Sequence, residues 1–481
     1  MARGWSHERT VGLRAVMART PRAMIVACNF PPDASVGTMR TLRLVRHLTD
    51  ASWNVEIVTL TPDGFRPGTV IDPALLDKVP SNATVVRARP LRPFERLSAA
   101  LKRTKPRSLS PATREGQRPV TPRAAPSPSG WSRARRAVSA ALALPDRDVS
   151  WMAPAIWNGV RHSQGSPPDV VYSSGPPFTA HLVGLALARW LNKPWVADFR
   201  DPWARAPWRE DRFEFERRAW GIFERLVVRR AQAVVFVTDT NRRDFAQQYP
   251  SEASKFFVVP NGCDPADFDD LTAPAERQAS PFVLLHAGSL YGARNPASLL
   301  RALAAAVAKK RIDPTSFKLR FIGRLGLPGV DLPGVARDLG LEKAVEFVSH
   351  LPRHDCLKEM LEASALLIVQ PVTTVSIPAK LYEYMAAGRP ILALAEPGGE
   401  TAELVARSGA GYAVLAEDEA AIEDALVSIV HLARAGFAPV DRRTYDGEVR
   451  AAELRAILSS VMADTSPPAT ATQTSPTRTT P

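Results

Sequence analysis

The chain has 481 residues, 45% hydrophobic and 23% charged, with a formal net charge of +13. At roughly 100–200 residues per domain this length holds two or three domains, and the ordinary apolar fraction excludes a wholly disordered or fibrous chain. Its three cysteines, Cys28, Cys263 and Cys356, lack any CxxC spacing, which argues against a disulfide framework or zinc site and for a reducing, cytoplasmic compartment.

The first 23 residues carry five Arg but no continuous apolar h-region, so a secretory signal is not expected. Residues 1–22 read as a disordered extension, with Met17 and Met24 as alternative starts. No run of 18 apolar residues occurs, so no membrane-spanning helix is expected. Eight scattered His and no HExxH give no sign of a metal.

Strand-length apolar segments then alternate with amphipathic helical stretches. Met24–Cys28, Val55–Leu60 and Ala83–Val86 read as strands, with a helix over Thr38–Leu48. Val170–Tyr172, Trp195–Ala197, Ala233–Val237 and Phe256–Val259 continue the series, with a helix over Phe178–Leu191. A polar stretch, Ala273–Ser280, follows, and the alternation restarts. Strands are expected at Phe282–Ala287, Lys318–Ile322, Val345–Val348, Ala365–Val369, Pro390–Leu394 and Tyr412–Val414, with helices over Ala297–Lys309 and Gly447–Ala463. Such alternation predicts parallel sheets covered on both faces, here two doubly wound α/β domains facing a cleft. Ligands of such sheets lie outside the carboxyl ends of the strands.

Charge is concentrated rather than spread. Residues 87–136 hold 12 Arg and two Lys against Glu95 and Glu115, nearly the whole net charge. Within it, residues 103–130 read as a disordered basic insertion, and 465–481, with 13 Ser, Thr or Pro in 17 residues, as a disordered tail. The apolar positions flanking the basic segment suit contact with an anionic membrane surface; a plain solvated insertion is the other reading. Nucleic acid is not expected, because only Phe94 and Trp131 are interleaved as stacking aromatics.

Four strand–loop–helix junctions carry the candidate chemistry. In Ser376-Ile-Pro-Ala-Lys-Leu-Tyr-Glu383, Pro378 suits the first helical position, and the helix N-terminus offers free N–H groups to an anion or sugar hydroxyl. Glu383 lies about one and a half turns in, where a carboxylate accepts two hydrogen bonds from a ribose diol; a solvated helix residue is the alternative. Gly288-Ser289-Leu-Tyr-Gly-Ala-Arg294 lets a ligand approach the backbone while Arg294 clamps a diphosphate, unless it is an ordinary turn with a surface Arg. Gly37 in the loop after the first strand allows close approach to a donor, and Arg40 suits an anionic acceptor. Asp198-Phe-Arg200-Asp201-Pro-Trp203 groups two carboxylates and an Arg beside Trp203 and Trp208 to orient sugar hydroxyls, or forms a self-satisfied ion-pair network.

These stretches, PPDASVGTMR, DVVYSSGPPFTAH, PWVADFRDPW, VVPNGCD, HAGSLYGARNP and SIPAKLYEYMAAGRPIL, make the chain similar to the retaining nucleotide-sugar glycosyltransferases of family 4. Most of all it resembles their bacterial branch that builds surface polysaccharides or glycolipids. The resemblance implies a GT-B fold of two facing Rossmann-like domains: an acceptor domain over 23–270, a donor domain over 271–445 and a closing helix over 446–464. It implies transfer of a sugar from a nucleoside-diphosphate-sugar to a cell-envelope glycan or lipid-linked acceptor by a cytoplasmic or peripheral membrane enzyme, without cofactor or metal. Donor binding would fall to Gly37, Gly288, Ser289, Arg294, Ser376, Pro378, Lys380 and Glu383. Catalytic contacts would fall to Arg294, Asp198, Arg200 and Asp201, and acceptor contacts to Arg40 and Trp203. Three positions depart from the family pattern. Val375 stands where the first carboxylate of the Glu-x7-Glu motif belongs, Ser289 replaces one of two diphosphate-binding cations, and a histidine of the first domain falls near Ser174, with His181 close in sequence. A non-catalytic nucleotide-sugar-binding protein and a sugar-nucleotide epimerase or hydrolase are the alternatives.

Overall fold

The computed structural model describes residues 20–91, 130–207, 213–269, 271, 281–349, 351–438 and 440–464. The basic insertion (apart from Gly130), Trp208 and the tail lie outside the described residues.

The first domain is a seven-stranded sheet built from β1 (Arg22–Val26), β2 (Asn54–Leu60), β3 (Thr84–Ala88), β4 (Val170–Gly175), β5 (Trp195–Phe199), β6 (Ala233–Phe236) and β7 (Phe256–Val258). Its order is β3-β2-β1-β4-β5-β6-β7, and every pairing is parallel. Helix α1 (Val36–Asp50) packs Leu42, Val45 and Leu48 on one face. On the other face lie α3 (Met152–His162), α4 (Thr179–Leu191), α5 (Glu214–Arg230) and α6 (Asp239–Gln248), contributing Ala155, Val183, Leu187, Trp220, Val227 and Phe245. A further helix, α2 (Gly130–Leu142), precedes α3.

The second domain is a six-stranded parallel sheet of β8 (Phe282–Ala287), β10 (Phe317–Ile322), β12 (Val345–Val348), β13 (Ala365–Gln370), β14 (Ile391–Ala395) and β15 (Gly411–Val414), ordered β12-β10-β8-β13-β14-β15. Short strands β9 (Leu290–Tyr291) and β11 (Leu325–Gly326) pair above it. Helices α7 (Ala297–Ala308), α8 (Leu332–Asp338) and α12 (Glu419–Arg434) cover one face, and α9 (Arg353–Glu362), α10 (Ala379–Ala387) and α11 (Glu400–Arg407) the other. β13 (ALLIVQ) and β14 (ILALA) are buried along their whole length, which is why they read as unbroken apolar runs.

The strand order reverses between β1 and β4 and again between β8 and β13. Each reversal opens a crevice at the carboxyl ends of the strands. The last helix, α13 (Gly447–Asp464), returns to the first domain, where Leu454, Ile457, Leu458 and Val461 pack in the same core as α1. The two crossings meet at Gly262, where a Cβ would lie 2.8 Å from the Tyr445 carbonyl oxygen.

Candidate functional site

The two crevices face each other across a cleft of about 890 Å3. From the second domain it is lined by Tyr291 and Arg294 of the loop after β8 and by Gln370, Ser376, Pro378 and Lys380 around the start of α10. From the first domain come Asn29, Asp33, Gly37, Arg66, Arg200 and Asp201.

On the second-domain side, β8 ends in Gly288, with φ 141°, in the region that favours glycine. Its bare Cα makes room for the Lys380 amine: a Cβ there would stand 1.0 Å from Nζ. Burial and then the charge of Arg294 push the Lys380 amine down to about 8, with Glu383 opposing. Arg294 donates to Gln370 Oε1 at 2.7 Å and lies over the Tyr291 ring at 4.6 Å. Neither cation has a carboxylate partner among the described residues. Beneath them His286 donates to or accepts from no charged group; its Nδ1 lies 2.9 Å from the Leu367 carbonyl, and burial holds its pKa at about 3, so it is neutral.

Ser376 is built into the loop before α10. Gln370 Nε2 donates to its Oγ at 3.3 Å, and its hydroxyl lies 3.1 Å from that of Thr373. Pro378 is the N-cap rather than the first helical residue, so the free N–H groups begin at Ala379 and Lys380, both lining the cleft. Gly388 closes the helix with φ 66°. Glu383 departs from expectation. It does not line the cleft; its Oε1 accepts from Arg353 Nη1 at 2.8 Å. Gly288 and Ser289, both partly buried, do not line it either.

The first-domain side separates two groups that the sequence had run together. Arg200 and Asp201 line the cleft, and Arg200 packs flat on Gly37, where a Cβ would stand 1.8 Å from Nη1. Asp198 and Arg40 do not line it. Asp198 is fully buried and accepts from Arg40 Nε at 2.8 Å and Nη2 at 2.9 Å, from the Tyr172 hydroxyl at 2.7 Å and from Ser174 Oγ at 3.1 Å. Burial would raise this carboxyl, but Arg40 and Tyr172 outweigh it and hold it low. The pair forms the self-satisfied ion-pair network that was the other reading of this cluster, and neither residue lines the cleft. Trp203 is likewise a core residue, fully buried and stacked on Phe178 at 4.5 Å. His181 is buried against Ser173 Oγ at 2.9 Å, with its pKa pushed down to about 3 by burial. Among the described residues no histidine lines the cleft.

Several lining residues went unremarked in the sequence. Arg66 pairs with Asp148 at the first-domain wall. Asp33 is buried, its carboxyl raised by burial, and its two oxygens accept from Asn29 Nδ2 and the Ser35 N–H, each at 2.7 Å. Gln370 was signalled only by being the polar end of an apolar strand. Arg353, the partner of Glu383 outside the cleft wall, also had no local signal. No three His, Cys, Asp or Glu among the described residues are grouped to hold a metal ion.

The domains touch around the cleft. Thr238 Oγ1 donates to the Val375 carbonyl at 2.7 Å, the Thr240 N–H to Glu400 Oε1 at 2.8 Å and Arg324 Nη1 to the Gly68 carbonyl at 3.1 Å.

Two facing parallel-sheet domains with the cleft between their switch points are the GT-B architecture of glycosyltransferases. Residues 114–267 match the family model Glycosyltransferase Family 4, and residues 281–431 match Glycosyl transferases group 1. The chain is a GT-B glycosyltransferase of family 4. It is 26% identical over 250 residues to D-inositol 3-phosphate glycosyltransferase of Corynebacterium urealyticum, a match spanning 48% of this chain and 58% of that relative. Among solved structures it is similar to sucrose-phosphate synthase of Thermosynechococcus elongatus, with TM-score 0.60 and 16% identity over 93% of this chain and 100% of that one. It is also similar to Anabaena Alr3699/HepE in complex with UDP-glucose, with TM-score 0.57 and 16% identity over 91% of this chain and 99% of that one.

Proposed function

We propose that the protein transfers a sugar, with retention of configuration, from a nucleoside-diphosphate-sugar to a hydroxyl of a cell-envelope glycan or lipid-linked acceptor. The observation that carries this reading is the convergence of Arg294 and Lys380 beside the N-terminus of α10. Two cations without carboxylate partners and the free N–H groups of a helix start face one point of the cleft. That point suits a diphosphate whose negative charge grows as the glycosidic bond breaks. Lys380 takes over the charge that Ser289 lacks. In this reading the leaving diphosphate accepts the proton of the attacking hydroxyl on the same face of the sugar. The protein supplies position and charge stabilisation, with Gly37 close to the donor and Arg200 and Asp201 beside it on the first-domain side. No metal enters the reading.

The reading is tested by titrating UDP-glucose and other nucleotide sugars, in the presence of a chelator, and measuring stabilisation and sugar transfer. A donor held at about 100 times its dissociation constant adds roughly 2.7 kcal/mol of stability. Transfer with retained configuration supports the proposal; binding with neither transfer nor hydrolysis favours a non-catalytic nucleotide-sugar-binding protein, the reading that Val375 would suit.

Membrane contact through residues 87–136 is part of the same proposal. At its described borders Val138 and Leu142, four apart on α2, are 60% and 46% exposed, and Leu91 is 59% exposed. No helix of the described residues is long and apolar enough to cross a membrane. Sedimentation with anionic vesicles, lost on deleting residues 92–129, is the expected result; retained binding removes this part.

A further inference from the structure

Glu383 is the end of a row of ion pairs that leaves its own domain. Arg353, the first residue of α9, donates through Nη1 to Glu383 Oε1 and through Nη2 to Asp267 Oδ2, each at 2.8 Å. Asp267 accepts at its other oxygen from Lys78 Nζ at 2.6 Å. Asp267 packs with the second domain, because its neighbour Phe268 is buried in that core, ahead of the boundary expected at residue 270. Lys78 belongs to the first, because its neighbour Val79 packs on the α1 core. The four charges cancel, and along the row Lys78, Asp267, Arg353 and Glu383 have side chains 39%, 7%, 25% and 16% exposed, so only the Lys78 end is open to solvent.

Arg353 is not where helix stability would put it. A cation in the first turn of a helix opposes the macrodipole. Its planar fork instead fixes two carboxylates in one plane. Glu383 Oε1 is thereby held while Oε2 has no partner among the described residues. That leaves one oxygen held and one without a protein partner, on a residue beside the cleft rather than in its wall, one turn along α10 from Lys380. Lys78 reaches Asp267 from the first domain, so the row links Glu383 to the contact between the domains.

We infer that Arg353 is the positioning residue for the donor-binding carboxylate of Glu383, and that Asp267 and Lys78 make nucleoside-diphosphate affinity depend on where the first domain sits. This rests on the reading of Glu383 as a donor ligand. It goes beyond that reading by placing part of the donor site's affinity in a residue of the opposite domain.

The test is calorimetric titration of the full chain with UDP, and in parallel with GDP and ADP. The proteins are the wild type, Glu383→Gln, Arg353→Met, Arg353→Lys, Lys78→Met and the Lys78→Met/Glu383→Gln double variant. Arg353→Met is expected to weaken binding about tenfold or more, with partial recovery in Arg353→Lys; Lys78→Met is expected to weaken it about three- to tenfold, as coupled neighbours do. In the Glu383→Gln background Lys78→Met is expected to add nothing. Unchanged affinity in Lys78→Met, or the same loss in both backgrounds, overturns the coupling. Wild-type affinity in Glu383→Gln, or no diphosphate bound by the wild type, removes the donor-site reading and the inference with it. An unchanged melting temperature of unliganded Lys78→Met separates the effect from misfolding.

Discussion

The amine of Lys380 occupies the space a side chain at residue 288 would need. Gly288, just after β8, and Lys380, in the first turn of α10, are 92 positions apart in the chain and are brought together because β8 and β13 are neighbours in the sheet. The Gly288 turn therefore serves the cation, not only the approach of a ligand.

Gly288→Ala is expected to cost about 1–3 kcal/mol of stability, through strain at its positive φ and collision with Lys380, and to weaken nucleoside-diphosphate binding. Gly340→Ala, at φ 68° with open space around it, carries the strain without the collision. Urea unfolding of both, with calorimetric titration of UDP, checks the difference: only the Gly288 variant should lose binding.

Lys380 makes binding and stability respond oppositely to pH. Its amine is pushed from 10.5 to about 8 in the folded chain. The unfolded chain therefore holds more protons between these values, and the unliganded protein gains stability from this group as pH rises from about 8 toward 10.5. Diphosphate affinity falls over the same rise, because the amine loses the charge the ligand needs. Lys380→Met should flatten both profiles, as read by thermal melts and titrations between pH 7 and 10.

Breaking the Arg40–Asp198 pair should act on folding. Arg40→Ala and Asp198→Ala each leave a buried charge uncompensated, at a cost of about 3–5 kcal/mol. Arg40→Met/Asp198→Leu should cost clearly less than the two singles together, as measured by urea unfolding.

Glu400 holds the first turn of α6 across the cleft mouth. Glu400→Ala removes a charged acceptor from the Thr240 N–H, an interaction of about 1.5–3 kcal/mol, and favours an open arrangement of the domains. A larger radius of gyration by small-angle scattering, with a raised donor KM, is the expected outcome.

Most of the fold was legible because both sheets are buried on both faces and their strands are short apolar blocks between helical patterns. The loops lining the cleft were legible for the same reason: each follows a strand that the pattern ends clearly, as at Ala287. The displacement of Asp198 and Arg40 from the cleft traces to one strand. With β5 expected to stop at Ala197, Asp198 reads as the first residue of a loop. β5 runs through Phe199 and is covered on both sides, so Asp198 becomes a core residue with Arg40, and only Arg200 and Asp201 emerge into the cleft.

The amino-acid sequence alone determined the two doubly wound domains, the cleft-facing loops, and Arg294 as a candidate, because periodicity and loop chemistry are local; Lys380 entered only through the family resemblance. The tertiary structure decided which charges already have partners: Arg40 with Asp198, Arg43 with Asp264, Glu383 with Arg353. It also decided that α13 closes the first domain rather than the second. Pairing depends on strand order and domain contact, and these bring together residues that no spacing along the chain relates.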